Sequence, residues 1–166
     1  MNTQYIIICL VIVGSICIPY FLFIVGGKSN VKNIDSKIKD ELAKNNLNIS
    51  ESEKWRTSYI AIDEIQKKAL FFKSTEPENT IHLMDLNLIK GFEIIEKRRA
   101  IKIKDKNDMV LEHLELKVLL VNGEILFLKF YDDIQDQYED YEMRRIEKWK
   151  AILVKTIVKI PEKKVA

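Results

Sequence analysis

Glycine, proline, cysteine and histidine are all scarce in this 166-residue chain, which holds five, three, two and two of them. Each shortage removes a class of chemistry. Both cysteines, Cys9 and Cys17, fall near the N-terminus, so the rest of the chain has neither a disulfide framework nor a thiolate zinc site. Three of the glycines (Gly14, Gly26 and Gly27) lie there too, which leaves no glycine-rich loop to cradle a phosphate. A nucleophile elbow is likewise missing. His82 and His113, the only histidines, fall on expected strands with no carboxylate or thiol at ligand spacing. They are expected as core-edge side chains rather than metal ligands or an acid–base pair. The acidic run from Asp132 to Glu142 lacks the glycine-punctuated spacing of a calcium loop. Neither sign of charge dominates: 27 basic against 25 acidic residues, a net charge of +2, argues against a nucleic-acid binder. No metal, cofactor or catalytic residue is expected, and the chain is not expected to be an enzyme.

What is present begins with a long apolar run. Tyr5 to Val25 carries no charged side chain, and as a helix it would match the roughly 30 Å hydrocarbon core of a bilayer. A secretory signal would want a basic n-region and a shorter apolar stretch. Met1–Gln4 has no Lys or Arg, although Gly26-Gly27 supplies small residues for cleavage. A lipoprotein signal is not favoured, because isoleucine precedes each cysteine, and a buried core helix is rarely apolar all round over this length. The expectation is an uncleaved transmembrane anchor bounded by Tyr5 and Val25, with Pro19 tolerated inside it. Lys28, Lys32, Lys37, Lys39 and Lys44 follow the span and no basic residue precedes it, which places the N-terminus outside and the remainder in the cytoplasm. Residues 1–4 are then a short tail and 5–25 the anchor.

Residues 26–54 form a connector in which Val31, Ile34, Ile38 and Leu42 recur at helical spacing. It reads as a spacer helix or as a short dimerising coiled coil, with fewer heptads than the latter normally needs. From Trp55 the period changes. Ser58–Asp63, Ala69–Phe72, Thr80–Met84, Phe92–Glu96 and Ala100–Lys104 alternate as strands, with a turn or bend at Asp85–Ile89. A hairpin around Asn122-Gly123 is the strongest local signal. A three-residue Val121-Asn122-Gly123 loop places Leu114 opposite Phe130, Leu116 opposite Leu128, Val118 opposite Leu126, Leu119 opposite Ile125 and Glu115 opposite Lys129. One long helix, roughly Ile134 to Ile160, closes the chain. Its stripe runs through Tyr138, Tyr141, Ile146, Trp149, Leu153 and Ile157, with acids at its start, Lys155 and Lys159 at its end and Pro161 as its stop. The fold class is α+β. An N-terminal transmembrane helix precedes a curved antiparallel sheet or half-barrel of about seven short strands, closed by one C-terminal helix.

The stretches Tyr59-Ile60-Ala61-Ile62-Asp63-Glu64, Lys67-Lys68-Ala69-Leu70-Phe71-Phe72, and Asp85-Leu86 leading to Phe92-Glu93-Ile94-Ile95-Glu96 carry a resemblance. So do the Leu114–Val118 hairpin strand and the Trp149 helix. Together, over residues 55–160, they resemble the bacterial pleckstrin-homology-like domains of small membrane proteins. The resemblance implies a binding or scaffolding module over residues 55–166, held at the bacterial inner membrane, and brings no catalytic residues. A protein partner is expected first. Anionic lipid is the alternative, contacted through the basic segment Lys97, Arg98, Arg99, Lys102, Lys104 and Lys106. The same lysines also suit a solvated edge strand that blocks unwanted pairing. A structural subunit held in a larger membrane assembly by its anchor is a further alternative. An edge strand that accepts an extended peptide, at Lys97–Lys106 or near Trp55, is the expected mode of protein recognition.

Overall fold

A computed structural model describes residues 12–19, 34–75, 79–103, 106–136 and 138–158. The chain divides into two compact units, Met1–Asn45 and Asn46–Ala166. In the first, residues 12–19 and 34–44 are helical. The second of these follows the apolar spacing of the connector, with Ile38 buried and Ile34 and Leu42 partly so. It stops at the expected asparagines, where the Asn45 side chain donates to Glu41 O at 2.8 Å and Asn46 takes a left-handed φ of 49°.

The membrane anchor is corrected by this structure. Among the described residues no helix is long and apolar enough to cross a membrane. Within the run from Tyr5 to Val25 the described residues are 12–19, and all of them are helical. Tyr5 and Val25 themselves lie outside the described residues. The single-pass, N-out placement in the bacterial inner membrane rested on that span and falls with it.

In the second unit the expected single curved sheet is two antiparallel sheets. Strands β1 (Glu51–Trp55), β2 (Ser58–Asp63), β3 (Lys68–Lys73) and β4 (Thr80–Asp85) form one, in that order. Strands β5 (Ile89–Ile103), β6 (Lys106–Leu120) and β7 (Ile125–Asp132) form the other, again in chain order. The sheet thus starts at Glu51, ahead of the Trp55 boundary, and the two short strands expected within 92–104 are one continuous β5. A 3-10 turn, Leu86–Leu88, joins the sheets; Asp85 starts it by accepting from the Asn87 N–H. The hairpin loop is the one the sequence predicts. Gly123 has φ 89°, and Leu120 and Glu124 close the turn with a 2.9 Å backbone bond. Leu116, Val118, Leu119 and Glu115 meet their expected partners, but Leu114 pairs with Tyr131 because a bulge at Phe130 shifts the register by one.

The core joins both sheets to the C-terminal helix Glu142–Val158. Trp55 stacks on Phe130 at 5.2 Å between ring centres, and Phe71 lies 5.7 Å from the same Phe130, so one aromatic trio ties β1 and β3 to β7. Ile146, Trp149 and Leu153 of the helix are fully buried against this cluster. The helix begins eight residues later than its apolar stripe suggests, at Glu142 rather than Ile134. Ile134, Tyr138 and Tyr141 are exposed, Ile134 to 91%. The acids Asp132, Asp133, Asp136, Glu139 and Asp140 therefore precede the helix, while Lys155 does sit in its last turn. Ile160, Pro161 and Lys159 lie outside the described residues.

Candidate interaction surface

The β5–β6 ladder outruns its third strand. The last β6–β7 pair is His113 with Asp132, whereas β5 and β6 continue from Arg98 and Leu111 out to Ile103 and Lys106. Among the described residues this leaves a two-stranded ribbon. Both edge strands that the sequence nominates are at edges: β1, which ends in Trp55, and β5, which holds Lys97 to Ile103.

The described residues of the basic segment fall on β5 and β6, and its first three cations are paired. Lys97 Nζ is 2.8 Å from Glu112, Arg99 is 3.0 Å from Asp133, and Arg98 pairs with Glu96. The hydrogen bond from Arg98 to Glu96 holds the guanidinium above its ordinary pKa, with Glu139 adding to the attraction. Lys102 is on β5 with an interaction of its own. Lys104 falls outside the described residues, and Lys106 begins β6. The basic and acidic runs, 33 residues apart between Arg99 and Asp132 in the chain, thus partly neutralise each other in space. A backbone bond from Asp133 N to Glu112 O, 3.1 Å long, fastens the two where Arg99 meets Asp133.

β1 is engaged differently. Glu53 accepts from Arg145 Nε and Trp149 Nε1, both at 2.8 Å, and from Lys148 Nζ at 3.2 Å. Burial alone would raise the Glu53 pKa, but these donors outweigh it and hold the carboxyl below its ordinary value. This carboxylate clamps the C-terminal helix to the first strand.

A second cluster has no counterpart in the sequence reading. Lys73, at the buried end of β3, reaches Asp136 at 2.7 Å; Arg56, in the β1–β2 turn, approaches Asp136 at 3.9 Å and Glu142 at 3.5 Å. Asp136 also accepts from the Asp132 N–H at 3.0 Å. Arg56 donates to the Tyr138 carbonyl and lies 4.4 Å from the centre of the Tyr138 ring. Two cations and two anions make a neutral, mostly buried set that pins residues 132–142 to the first sheet. Arg56, Thr57, Gln135, Asp136 and Tyr138 line a cleft of about 260 Å³ beside it. Arg56 and Tyr141 both have left-handed backbone, φ 45° and 57°, at the two ends of this fastening. A lysine closing a strand ordinarily implies solvent, so nothing in the sequence marks Lys73 as buried.

The histidines also differ from expectation in one respect. His113 does have a carboxylate neighbour, with Nε2 2.7 Å from Glu115 two residues along the strand and Nδ1 3.9 Å from Asp132. His82 is half-buried, and that burial lowers its pKa. Among the described residues no group of three or more His, Cys, Asp or Glu is placed to hold a metal. Comparison with protein-family models, with curated proteins and with solved structures finds no match to this chain.

Proposed function

We propose that the Asn46–Ala166 unit is a pleckstrin-homology-like binding module that takes a protein partner as an extended segment added to the edge of β5. The order of elements supports the reading: sheets of four and three antiparallel strands in chain order, then one amphipathic helix. The observation that carries it is the length of β5, fifteen residues of edge strand whose outer part has β6 as its only neighbour among the described residues. An exposed edge offers a row of unpaired N–H and C=O groups to an incoming strand. β1 is the weaker edge, because its inward side chains are already committed to the helix through Glu53. The ion pairs of Lys97, Arg98 and Arg99 favour a peptide over an anionic surface, since each guanidinium or ammonium has a carboxylate to give up first. The module acts by binding, with no chemistry of its own.

Selection from a displayed library of extended peptides tests this. Successive residues of a strand direct their N–H groups to opposite edges, so one of Arg99→Pro and Ala100→Pro removes a free donor and the other a ladder bond. Peptides selected on the wild type should lose binding to the variant that keeps its fold. Selected peptides that bind both variants undiminished, or a selection that enriches none, would defeat the edge-strand reading.

A further inference from the structure

Toward its middle the outer face of the β5–β6–β7 sheet carries charged side chains, with Ile95 among them. Glu93 stands opposite Lys117 with a 2.8 Å ion pair, and Glu115 stands opposite Lys129. At the hairpin end this pattern gives way to apolar side chains. Leu119 faces Ile125, Phe127 follows on β7, and Val121 opens the turn. A 2.8 Å bond from Val121 N to Leu88 O brings Leu88 alongside. Val121 is 67% exposed, Leu88 56%, Phe127 45% and Ile125 44%. Large exposed apolar patches are a feature of interaction sites.

Gly91 completes the row. It pairs with Leu119, which pairs with Ile125, so the three strands contribute a bare position, a leucine and an isoleucine side by side. A mid-strand glycine costs about 0.5–1 kcal/mol relative to alanine. Among the described residues neither backbone strain nor a crowding neighbour accounts for it. Its φ is not positive, and a Cβ built there meets nothing within 4 Å. The neighbouring register shift takes Lys90, not Gly91, as its extra residue. A glycine in such a place leaves room for a close approach from outside the chain.

We propose that a second copy of this chain occupies the patch, with Phe127 of each copy seated over Gly91 of the other. A two-fold contact requires a surface complementary to itself. This one has an apolar centre with both a projection and a gap. Its rim carries charges of both signs already paired, Glu93 with Lys117 at 2.8 Å and Lys129 with Asp132 at 3.1 Å. A rim of one sign would repel its own copy; this rim does not.

The test is sedimentation or light scattering of the full chain over a concentration series, for the wild type, Phe127→Lys and Gly91→Thr. Threonine suits a strand and the space above Gly91 is open within one chain, so Gly91→Thr keeps the fold while blocking the seat. The expected result is a wild-type dimer whose dissociation constant rises at least roughly tenfold in each variant, with unchanged circular dichroism. A wild type that stays monomeric throughout would overturn the proposal. So would association untouched by either variant, which would place it on another part of the chain such as Tyr5–Val25. Loss with Phe127→Lys but not with Gly91→Thr would overturn the seat at Gly91.

Discussion

Strands β3 and β7 carry nearly the same run of side chains, Ala69-Leu70-Phe71-Phe72 and Ile125-Leu126-Phe127-Leu128, and fare differently. In β3 all four residues are buried, on both faces of the strand. In β7 Leu128 is buried and Leu126 packs partly against the core, but Ile125 and Phe127 remain open. β3 is an inner strand with β2 and β4 on either side, and β7 is an edge. A continuous apolar run belongs where both faces are covered. The comparison teaches that such a run specifies a need for cover, and that the chain itself satisfies it on β3 and leaves it half met on β7.

The sharpest way to break this comparison is to truncate each phenylalanine in turn. Phe71→Ala should cost about 3–5 kcal/mol of unfolding free energy, from lost burial and the cavity left beside Phe130. Phe127→Ala, measured by the same denaturant titration below the association range, should stay within about 0.5 kcal/mol. Equal losses would mean that the two runs are equally part of the core. Next in size is the fastening that closes β3. Lys73→Met leaves Asp136 buried with Arg56, at 3.9 Å, as its remaining cation among the described residues, and should cost about 3 kcal/mol. Adding Asp136→Leu should recover most of it; a double variant no better than the single would show that the pair does not act as a unit.

Glu53 sharpens the contrast at β1, the edge that is already occupied. Glu53→Gln keeps the shape but weakens three charge-assisted bonds, an expected loss of about 1–3 kcal/mol. The same carboxyl gives a pH signature. Its folded pKa lies below the ordinary value of 4.5, so its contribution is fully present above 4.5 and fades as pH falls through the folded value. Wild-type stability should therefore drop more steeply below about pH 4.5 than that of Glu53→Gln, as read by melting temperature across an acid series. Parallel curves would remove Glu53 from the acid response. The smallest effect belongs to the β6–β7 turn. Gly123→Ala places a Cβ at φ 89° and should cost about 1 kcal/mol, whereas a neutral result would mean that the turn relaxes to another form.

How much of this was legible in the sequence follows from which signals are local. The Asn122-Gly123 hairpin was, because a turn that demands positive φ and alternation on both sides point to one register. The slip at Leu114 was not, since a bulge adds a residue without changing composition. The helix start was misplaced because Ile134, Tyr138 and Tyr141 keep helical spacing while the acids around them do other work. Asp132 accepts from the Ile134 N–H at 3.1 Å and Asp136 from the Asp132 N–H at 3.0 Å, which offers the backbone an alternative to helix. Run length suggested the span at Tyr5–Val25, and most of that run lies outside the described residues. At the interaction surface, edge positions for β1 and β5 could be anticipated, whereas the pairing of the basic segment with Glu112 and Asp133 depends on contacts that no short window contains.

The Glu53 clamp also bears on how the chain is made. Its partners Arg145, Lys148 and Trp149 lie 92, 95 and 96 residues further on, so the first strand of the unit is held by the last helix. The hairpins of the first sheet involve neighbours in sequence and can form while translation proceeds, but β1 meets the helix only after Glu142–Val158 has left the ribosome. Until then Trp55 lacks Phe130 as well, and the half-made unit carries an uncovered aromatic face. A nascent chain halted before Glu142 is the form in which chaperones would find the most to bind.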